Sequence, residues 1–368
     1  MGAGQAGALM IDAYTPSALL DLVADGLDDT ALDSVLSWPA VLVDLTQAFS
    51  STDLLRATQL LQTAPVVLIG VSENAVADDS AVVGLDVLLC SSDVAPAPWV
   101  ACGSLLNESV AALLASIAAS PDAAIGLTQL LRVSEHSSAA EAVVAESWVY
   151  SLLQGGERYS TWLAGRSSRT PKPRPEHSVV TVQRVGDELR ITLNRPEVHN
   201  AYGARMRDEL VEAFRLVDVD QTITRVVLCG NGPSFCSGGD LDEFGTAPAP
   251  VEAHSIRTRR NAGIALSAIA ERVEVHVHGT CVGAGVELPA FASRVVAHPD
   301  TTFLLPEISM GLVPGAGGTS SIPRRIGRHR AAYFGLCGRP IDVTTALAWG
   351  LIDAVDAQVL EQVKDTNG

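Results

Sequence analysis

Gly279-Thr280-Cys281-Val282-Gly283-Ala284-Gly285-Val286-Glu287-Leu288 is the stretch on which the reading of this chain turns. The apolar run Val273 to Val277 before it reads as a buried strand, and the spacing after it predicts a helix carrying Glu287. Glycines between the two permit a tight turn that aims backbone N–H groups at an anionic oxygen. Downstream, Phe303-Leu304-Leu305-Pro306-Glu307-Ile308 carries a second glutamate in equally charge-poor surroundings. Pro306 biases Leu305 to extended geometry. An apolar pocket disfavours a charged carboxylate, and two neighbouring carboxylates disfavour ionising together. One acid and one base can then coexist near neutral pH, which suits proton transfer to and from carbon. Upstream, Phe235-Cys236-Ser237-Gly238-Gly239-Asp240-Leu241 supplies another turn whose backbone can face an oxyanion.

These stretches occur in a telling order. Ile191-Thr192-Leu193-Asn194-Arg195-Pro196 and Asn200-Ala201 come first, then the Ser237-Gly238-Gly239-Asp240 turn and the Gly279–Leu288 stretch. Pro306-Glu307, Gly311-Leu312-Val313-Pro314-Gly315-Ala316-Gly317-Gly318-Thr319 and Gly338-Arg339-Pro340-Ile341-Asp342 follow. From about Val179 to Val355 the chain resembles the crotonase (enoyl-CoA hydratase/isomerase) superfamily. The resemblance implies an α/β fold with the crotonase ββα spiral (ClpP/crotonase-like). It implies Glu287 and Glu307 as catalytic groups beside C2 and C3 of an enoyl thioester, and the N–H groups of Gly239 and Ala284 as the oxyanion hole. It places Ser237, Gly238, Asp240, Leu241 and Gly315 along the CoA thioester. Family members with both glutamates are usually hydratases; those with one are often isomerases, hydrolases or decarboxylases. Two departures stand out: Asp242 and Glu197 occupy positions where many members are basic, which weakens contact with CoA phosphates. His199 fits either a nucleotide contact or a surface histidine.

The expected activity is therefore syn addition of water to a trans-2-enoyl-CoA, with the thioester as substrate and no cofactor. The alternatives are isomerisation or C–C hydrolysis of an acyl-CoA, and a catalytically weak acyl-CoA-binding scaffold. The resemblance also implies a homotrimer or a dimer of trimers.

With 368 residues, 47% hydrophobic and 18% charged, the chain is long enough for two domains and a substantial core. Its net charge of -17 argues against a nucleic-acid partner, which needs clustered Lys and Arg. Arg257, Arg259 and Arg260 form a local basic patch suited to a small anion, or simply a solvated helix face. The six cysteines form no Cys-x-x-Cys pair, so neither a zinc site nor a disulfide framework is suggested; reduced thiols point to a cytoplasmic setting. The start lacks the basic and apolar regions of a signal peptide, and no apolar run approaches membrane-spanning length. Gly2-Ala3-Gly4-Gln5-Ala6-Gly7 matches a dinucleotide fingerprint but follows no strand, and the Pro314–Thr319 run lacks the Lys of a phosphate loop. His276 and His278 alternate on one strand with no third metal ligand nearby.

Arg166-Ser167-Ser168-Arg169-Thr170-Pro171-Lys172-Pro173-Arg174-Pro175 reads as a semi-rigid linker. The expected organisation is residues 1–165, a linker at 166–177, and a catalytic core at 178–368. Within the first part, Ala40 to Leu45, Pro65 to Gly70 and Leu85 to Cys90 read as buried strands. Its tail, Ser109 to Arg132 and Glu141 to Gly165, is similar to the C-terminal helices with which crotonases usually cover the active site. Here the tail after Val355 is short and polar, so these earlier helices are expected to pack on the catalytic core instead. The first part then reads as a degenerate, structural crotonase-like unit with a helical tail, or as an unrelated α/β domain.

Overall fold

The computed structural model describes residues 13–25, 39–76, 79–166, 176–246 and 249–359. Residues 167–175 of the expected linker lie outside the described residues, as do Gly2–Gly7 and the last residues of the tail. The chain forms two compact units, Met1–Leu114 and Ala115–Gly368. The boundary lies well before the proline-rich stretch, so most of the helical tail assigned to the first part belongs with the catalytic core.

The first unit is an α/β sheet domain. Strands β1 (Ala13–Tyr14), β2 (Ala40–Asp44), β3 (Val67–Ser72), β4 (Val87–Cys90) and β5 (Val100–Ala101) pair in sequence order, all parallel. Helices α1 (Pro16–Asp25), α2 (Ser51–Leu60) and α3 (Asp79–Val82) lie between them. Parallel strands are covered on both faces, which explains the unbroken apolar runs Val67-Leu68-Ile69 and Val87-Leu88-Leu89. Leu54, Leu68, Leu85, Leu88 and Trp99 are fully buried in its core.

Helix α4 (Leu106–Ala119) runs across the boundary, and α5 (Pro121–Ser134), α6 (Ala139–Gln154) and α7 (Glu157–Gly165) follow. Pro121 stands in the first turn of α5, where its missing N–H would have no helical partner. Ser138 and Glu141 close a reciprocal capping box on α6.

The second unit is built on a six-stranded sheet of order β14-β11-β9-β8-β7-β6. Its strands are β6 (Val180–Val185), β7 (Glu188–Leu193), β8 (Arg225–Gly230), β9 (Val273–Val277), β11 (Arg294–Ala297) and β14 (Ala354–Val355). The β6–β7 pair is an antiparallel hairpin, closed by Gly186-Asp187 with Gly186 at φ +65°. The other pairs are parallel. Helix α8 (Ala204–Val219) buries Met206, Leu210, Val211, Phe214 and Val217, one helical stripe against the sheet.

A small second sheet joins β10 (Thr280–Val282), β12 (Thr302–Leu304) and β13 (Ile341–Asp342). Expected strands and helices differ from the observed ones mainly at their ends. The helical segment from Pro250 to Ser267 is broken. It divides into α9 (Pro250–Arg259) and α10 (Ala262–Ser267), because Asn261 turns extended and its side chain caps the Ile264 N–H at 2.9 Å. The helix carrying Glu287, α11 (Ala284–Glu287), is a single turn; Pro289 follows and opens a 3-10 turn. Helices α12 (Gly318–Ile326), α13 (Arg328–Cys337) and α14 (Val343–Trp349) complete the unit, the last capped by the Asp342 side chain. Among the described residues no single helix is long and apolar enough to cross a membrane.

Candidate active site

Pairing of β10 with β12 decides which side chains meet. The strands run parallel with Val282 opposite Leu304, and the Gly283 N–H donates to the Leu304 carbonyl at 2.9 Å. The turn entering α11 thus lies beside the segment that leads to Glu307. Gly283 has φ +49°, and a β-carbon there would come within 2.5 Å of Glu307 Oε1. Only glycine allows both the conformation and the approach.

Glu287 is 2% exposed. Its Oε2 accepts the N–H groups of Ala316 at 2.7 Å and Gly318 at 2.8 Å. Burial pushes this carboxyl up to about 7, with the two donors pulling against the rise. Glu307 opens a 3-10 turn and is partly exposed on the cleft, but its Oε2 is buried and has no hydrogen-bond partner. Burial, then the charge of Glu287, holds its carboxyl well above the usual range. The two glutamates are therefore chemically unlike: one has its anion held by backbone donors, the other favours its proton.

The Ser237–Asp240 turn lies against the α11 turn. Cys236 bridges Cys281, the Val282 N–H donates to the Cys236 carbonyl at 3.0 Å, and a β-carbon on Gly238 would stand 3.1 Å from the Val282 carbonyl. The N–H groups of Gly239 and Ala284 donate to no acceptor among the described residues. Ala284 opens a helix, where a first-turn N–H has no internal partner. The loop before α8 braces this arrangement. Asn200, fully buried at φ +54°, accepts from the Arg195 N–H and donates to the Asn231 and Ser234 carbonyls. His199 is exposed, as a surface histidine would be; its Nδ1 lies 2.9 Å from Ser234 Oγ, and its carbonyl accepts the Ser237 N–H. Asp240 is committed to Arg195 at 2.8 Å and to the Asp242 N–H, so it offers the cleft little beyond its backbone.

All nine expected site residues line one cleft of about 510 Å³: Glu287, Glu307, Gly239, Ala284, Ser237, Gly238, Asp240, Leu241 and Gly315. Residues not singled out as site residues complete the wall. Tyr150 of α6 presses on Gly315. Arg257 of α9 stacks 4.6 Å over the Tyr150 ring and donates to Ser147, Ser151 and Gln154. It is no solvated helix face, whereas Arg260 pairs with Asp208 and Glu212 at the surface. Burial raises the Tyr150 and Tyr202 phenols far above their usual range, so both stay protonated.

Behind the cleft stands a third carboxylate, Glu146, 1% exposed. Its Oε1 accepts the Gly317 N–H at 2.8 Å; its Oε2 accepts the Thr319 N–H at 2.9 Å and the Thr319 hydroxyl at 2.8 Å. Burial, then the Glu287 charge, pushes it up to about 8, against these donors. The signal in the sequence was a lone acid on the helix face of Ala142, Val143 and Leu153. His276 and His278 are buried and engaged, with Glu274 at 2.5 Å and the Gly232 carbonyl at 2.9 Å. Burial raises the Cys236 thiol to about 12.

Comparison with known proteins points to one family. The enoyl-CoA hydratase/isomerase family model matches residues 188–367. Over 177 residues the chain is 34% identical to 1,2-epoxyphenylacetyl-CoA isomerase of Escherichia coli, covering 47% of this chain and 68% of that protein. It is 34% identical over 178 residues to 2,3-dehydroadipyl-CoA hydratase of the same organism, covering 48% and 69%. The solved enoyl-CoA hydratase of Mycobacterium smegmatis matches with 27% identity and a TM-score of 0.48, over 52% of this chain and 75% of that one.

Proposed function

The chain belongs to the enoyl-CoA hydratase/isomerase family, and from that premise we propose that it adds water syn across the double bond of a trans-2-enoyl-CoA. The observation that supports this reading is the unlike pair of carboxyls facing one cleft beside two uncommitted N–H groups. Glu287, whose anion is held by Ala316 and Gly318, orients a water and takes its proton as oxygen attacks C3. Glu307, whose burial favours the neutral acid, delivers the proton to C2. The Gly239 and Ala284 N–H groups stabilise the enolate oxygen of the thioester between the two events. Ser237, Gly238, Leu241 and Gly315 line the path of the thioester. The sequence of bonds made and broken moves protons and water alone, so the reading calls for no cofactor.

Isomerisation of the acyl chain is the second reading. The partnerless Oε2 of Glu307 favours it, because a group free of fixed donors can take a proton from one carbon and return it to another. A panel of trans-2-enoyl-CoA and trans-3-enoyl-CoA esters of graded length separates the two. Loss of the conjugated-enoyl absorbance with formation of 3-hydroxyacyl-CoA supports hydration. Interconversion of the two enoyl series without hydroxyacyl product supports isomerisation. Tight acyl-CoA binding with no turnover of either series overturns both.

The reading extends to the setting and the first unit. We place the protein in the cytoplasm, which six thiols outside any disulfide suit, and as a homotrimer or dimer of trimers. We take the first unit as a structural, degenerate relative of the second, since each has a sheet of strands paired in sequence order, parallel throughout in the first and parallel apart from the β6–β7 hairpin in the second.

A further inference from the structure

Glu146 lies outside the cleft lining and has no part in the chemistry proposed above. A buried carboxylate costs several kcal/mol unless its lone pairs are well satisfied. This one is satisfied entirely by the turn that also holds Glu287. Four successive N–H groups alternate between two acids: Ala316 and Gly318 donate to Glu287, Gly317 and Thr319 to Glu146. Gly317, at φ +105°, is the joint that lets neighbouring N–H groups point to opposite sides. The Thr319 hydroxyl adds a fifth donor, on the Glu146 side.

The turn has little stiffness of its own, because Gly315, Gly317 and Gly318 leave its backbone with wide conformational freedom. With only the Glu287 contacts, the peptide planes of Ala316 and Gly318 could rotate away from Oε2. With a second anchor on the other face, rotation of any plane breaks bonds to both acids. Glutamine cannot substitute for Glu146 here. It offers one acceptor oxygen where both oxygens accept, and its NH₂ would face a backbone N–H.

We propose that Glu146 is a positioning residue for Glu287: by clamping the far side of the Ala316–Thr319 turn, it holds the Ala316 and Gly318 N–H groups on the Glu287 carboxylate. This rests on the role given to Glu287 above. The anchor comes from α6, before the catalytic core in sequence, so the second unit's acid–base geometry depends on a helix outside the matched family region. Arg257 from α9, Glu287 from α11, Glu307 from its 3-10 turn and Tyr150 on α6 itself are the other ionisable groups that act on Glu146 or share its surroundings.

The test uses the full-length protein and its Glu146→Gln, Thr319→Val and Glu287→Gln variants. Two quantities are measured: residue-resolved amide hydrogen exchange, and steady-state turnover of the best enoyl-CoA. Expected for Glu146→Gln is at least tenfold faster exchange at Ala316 and Gly318, whose own acceptor is untouched. Exchange in the β8 core should be unchanged. kcat should fall about tenfold with KM within about threefold, the pattern of a displaced catalytic group rather than a lost binding contact. Thr319→Val, which removes one donor from Glu146 alone, should show the same pattern at about threefold. It decides the matter if Glu146→Gln does not fold. Unchanged exchange at Ala316 and Gly318, or unchanged kcat, overturns the proposal. If instead Glu287→Gln keeps wild-type turnover, the catalytic assignment fails, while the exchange data still report whether Glu146 holds the turn.

Discussion

Replacing Glu287 or Glu307 by Gln leaves size and shape almost untouched and removes the capacity to exchange a proton. Each variant is expected to lower kcat by at least about a hundredfold, the usual scale for a positioned acid or base. Binding of a saturated acyl-CoA, measured by calorimetry, should stay within about threefold of wild type, since neither acid is needed to hold the thioester. Near wild-type turnover in either variant removes that residue from the mechanism. Both glutamates were legible in the sequence because each sits in an apolar stretch that a structural role would leave uncharged. Glu146 was not singled out as a site residue. Its neighbours Ser147, Trp148 and Tyr150 read as an ordinary helix, and its partners lie about 170 positions away, at Gly317 and Thr319. Contacts of that range depend on how two elements pack, which local pattern does not encode.

At the scale of elements, the strands were legible because parallel, doubly covered strands leave long apolar runs. Helix ends were less so. Asn261 breaks a helix that periodicity alone would continue, and Pro289 leaves α11 a single turn. The boundary at Leu114 was missed for a different reason: a proline-rich stretch marks where a chain can bend, not where its contacts divide. Helices α5 to α7 lie with the catalytic core, as their likeness to covering helices suggested. They bring Tyr150 and the Arg257 contacts to the cleft wall, and Glu146 behind it. A fragment starting at Pro175 lacks all three. It is expected to be insoluble, or soluble with at least about a hundredfold loss of turnover, because it exposes the apolar surface those helices cover. Expression of the fragment, with sedimentation and an enoyl-CoA assay, checks this. A soluble and fully active fragment would show that the helices are dispensable.

For the whole molecule, three carboxyls, two of them on buried residues, share one small region with raised proton affinity. A carboxyl whose folded value exceeds its unfolded one contributes stability that is fully present below the unfolded value near 4.5. That contribution is lost as pH rises through the folded value, about 7 for Glu287 and about 8 for Glu146. Unfolding free energy should therefore decline between pH 5 and 8, on the order of 1 kcal/mol per pH unit for each group that titrates. Glu287→Gln should flatten the slope. Denaturant titrations at stepped pH measure both, and a slope that rises with pH would contradict the raised values. The surface carries a second expectation. Trp148 and Leu152 stand 62% and 76% exposed one turn apart on α6, and Val251 is 77% exposed on the adjoining α9. An apolar strip of this kind suits a subunit contact with closed symmetry. Light scattering should give a trimer or a dimer of trimers; a monomer at micromolar concentration, with this strip bare, would sink the assembly.

The reach of Glu146 also has a consequence for how the protein is made. Ribosomes release the chain from its first residue onward, so α6 emerges with its acid long before Gly317 and Thr319 exist. At about 5–20 residues per second, the delay is roughly 10 to 35 seconds. During that interval the helix can pack on α5, but its carboxylate lacks the Gly317 and Thr319 donors that later bind it. That charge keeps the unfinished helix hydrated, a safeguard that disappears once the turn closes on it. Nascent chains arrested before Gly311 should accordingly be cut within α6 by a protease that spares the finished protein, and equal resistance in both would show that the helix finds shelter earlier.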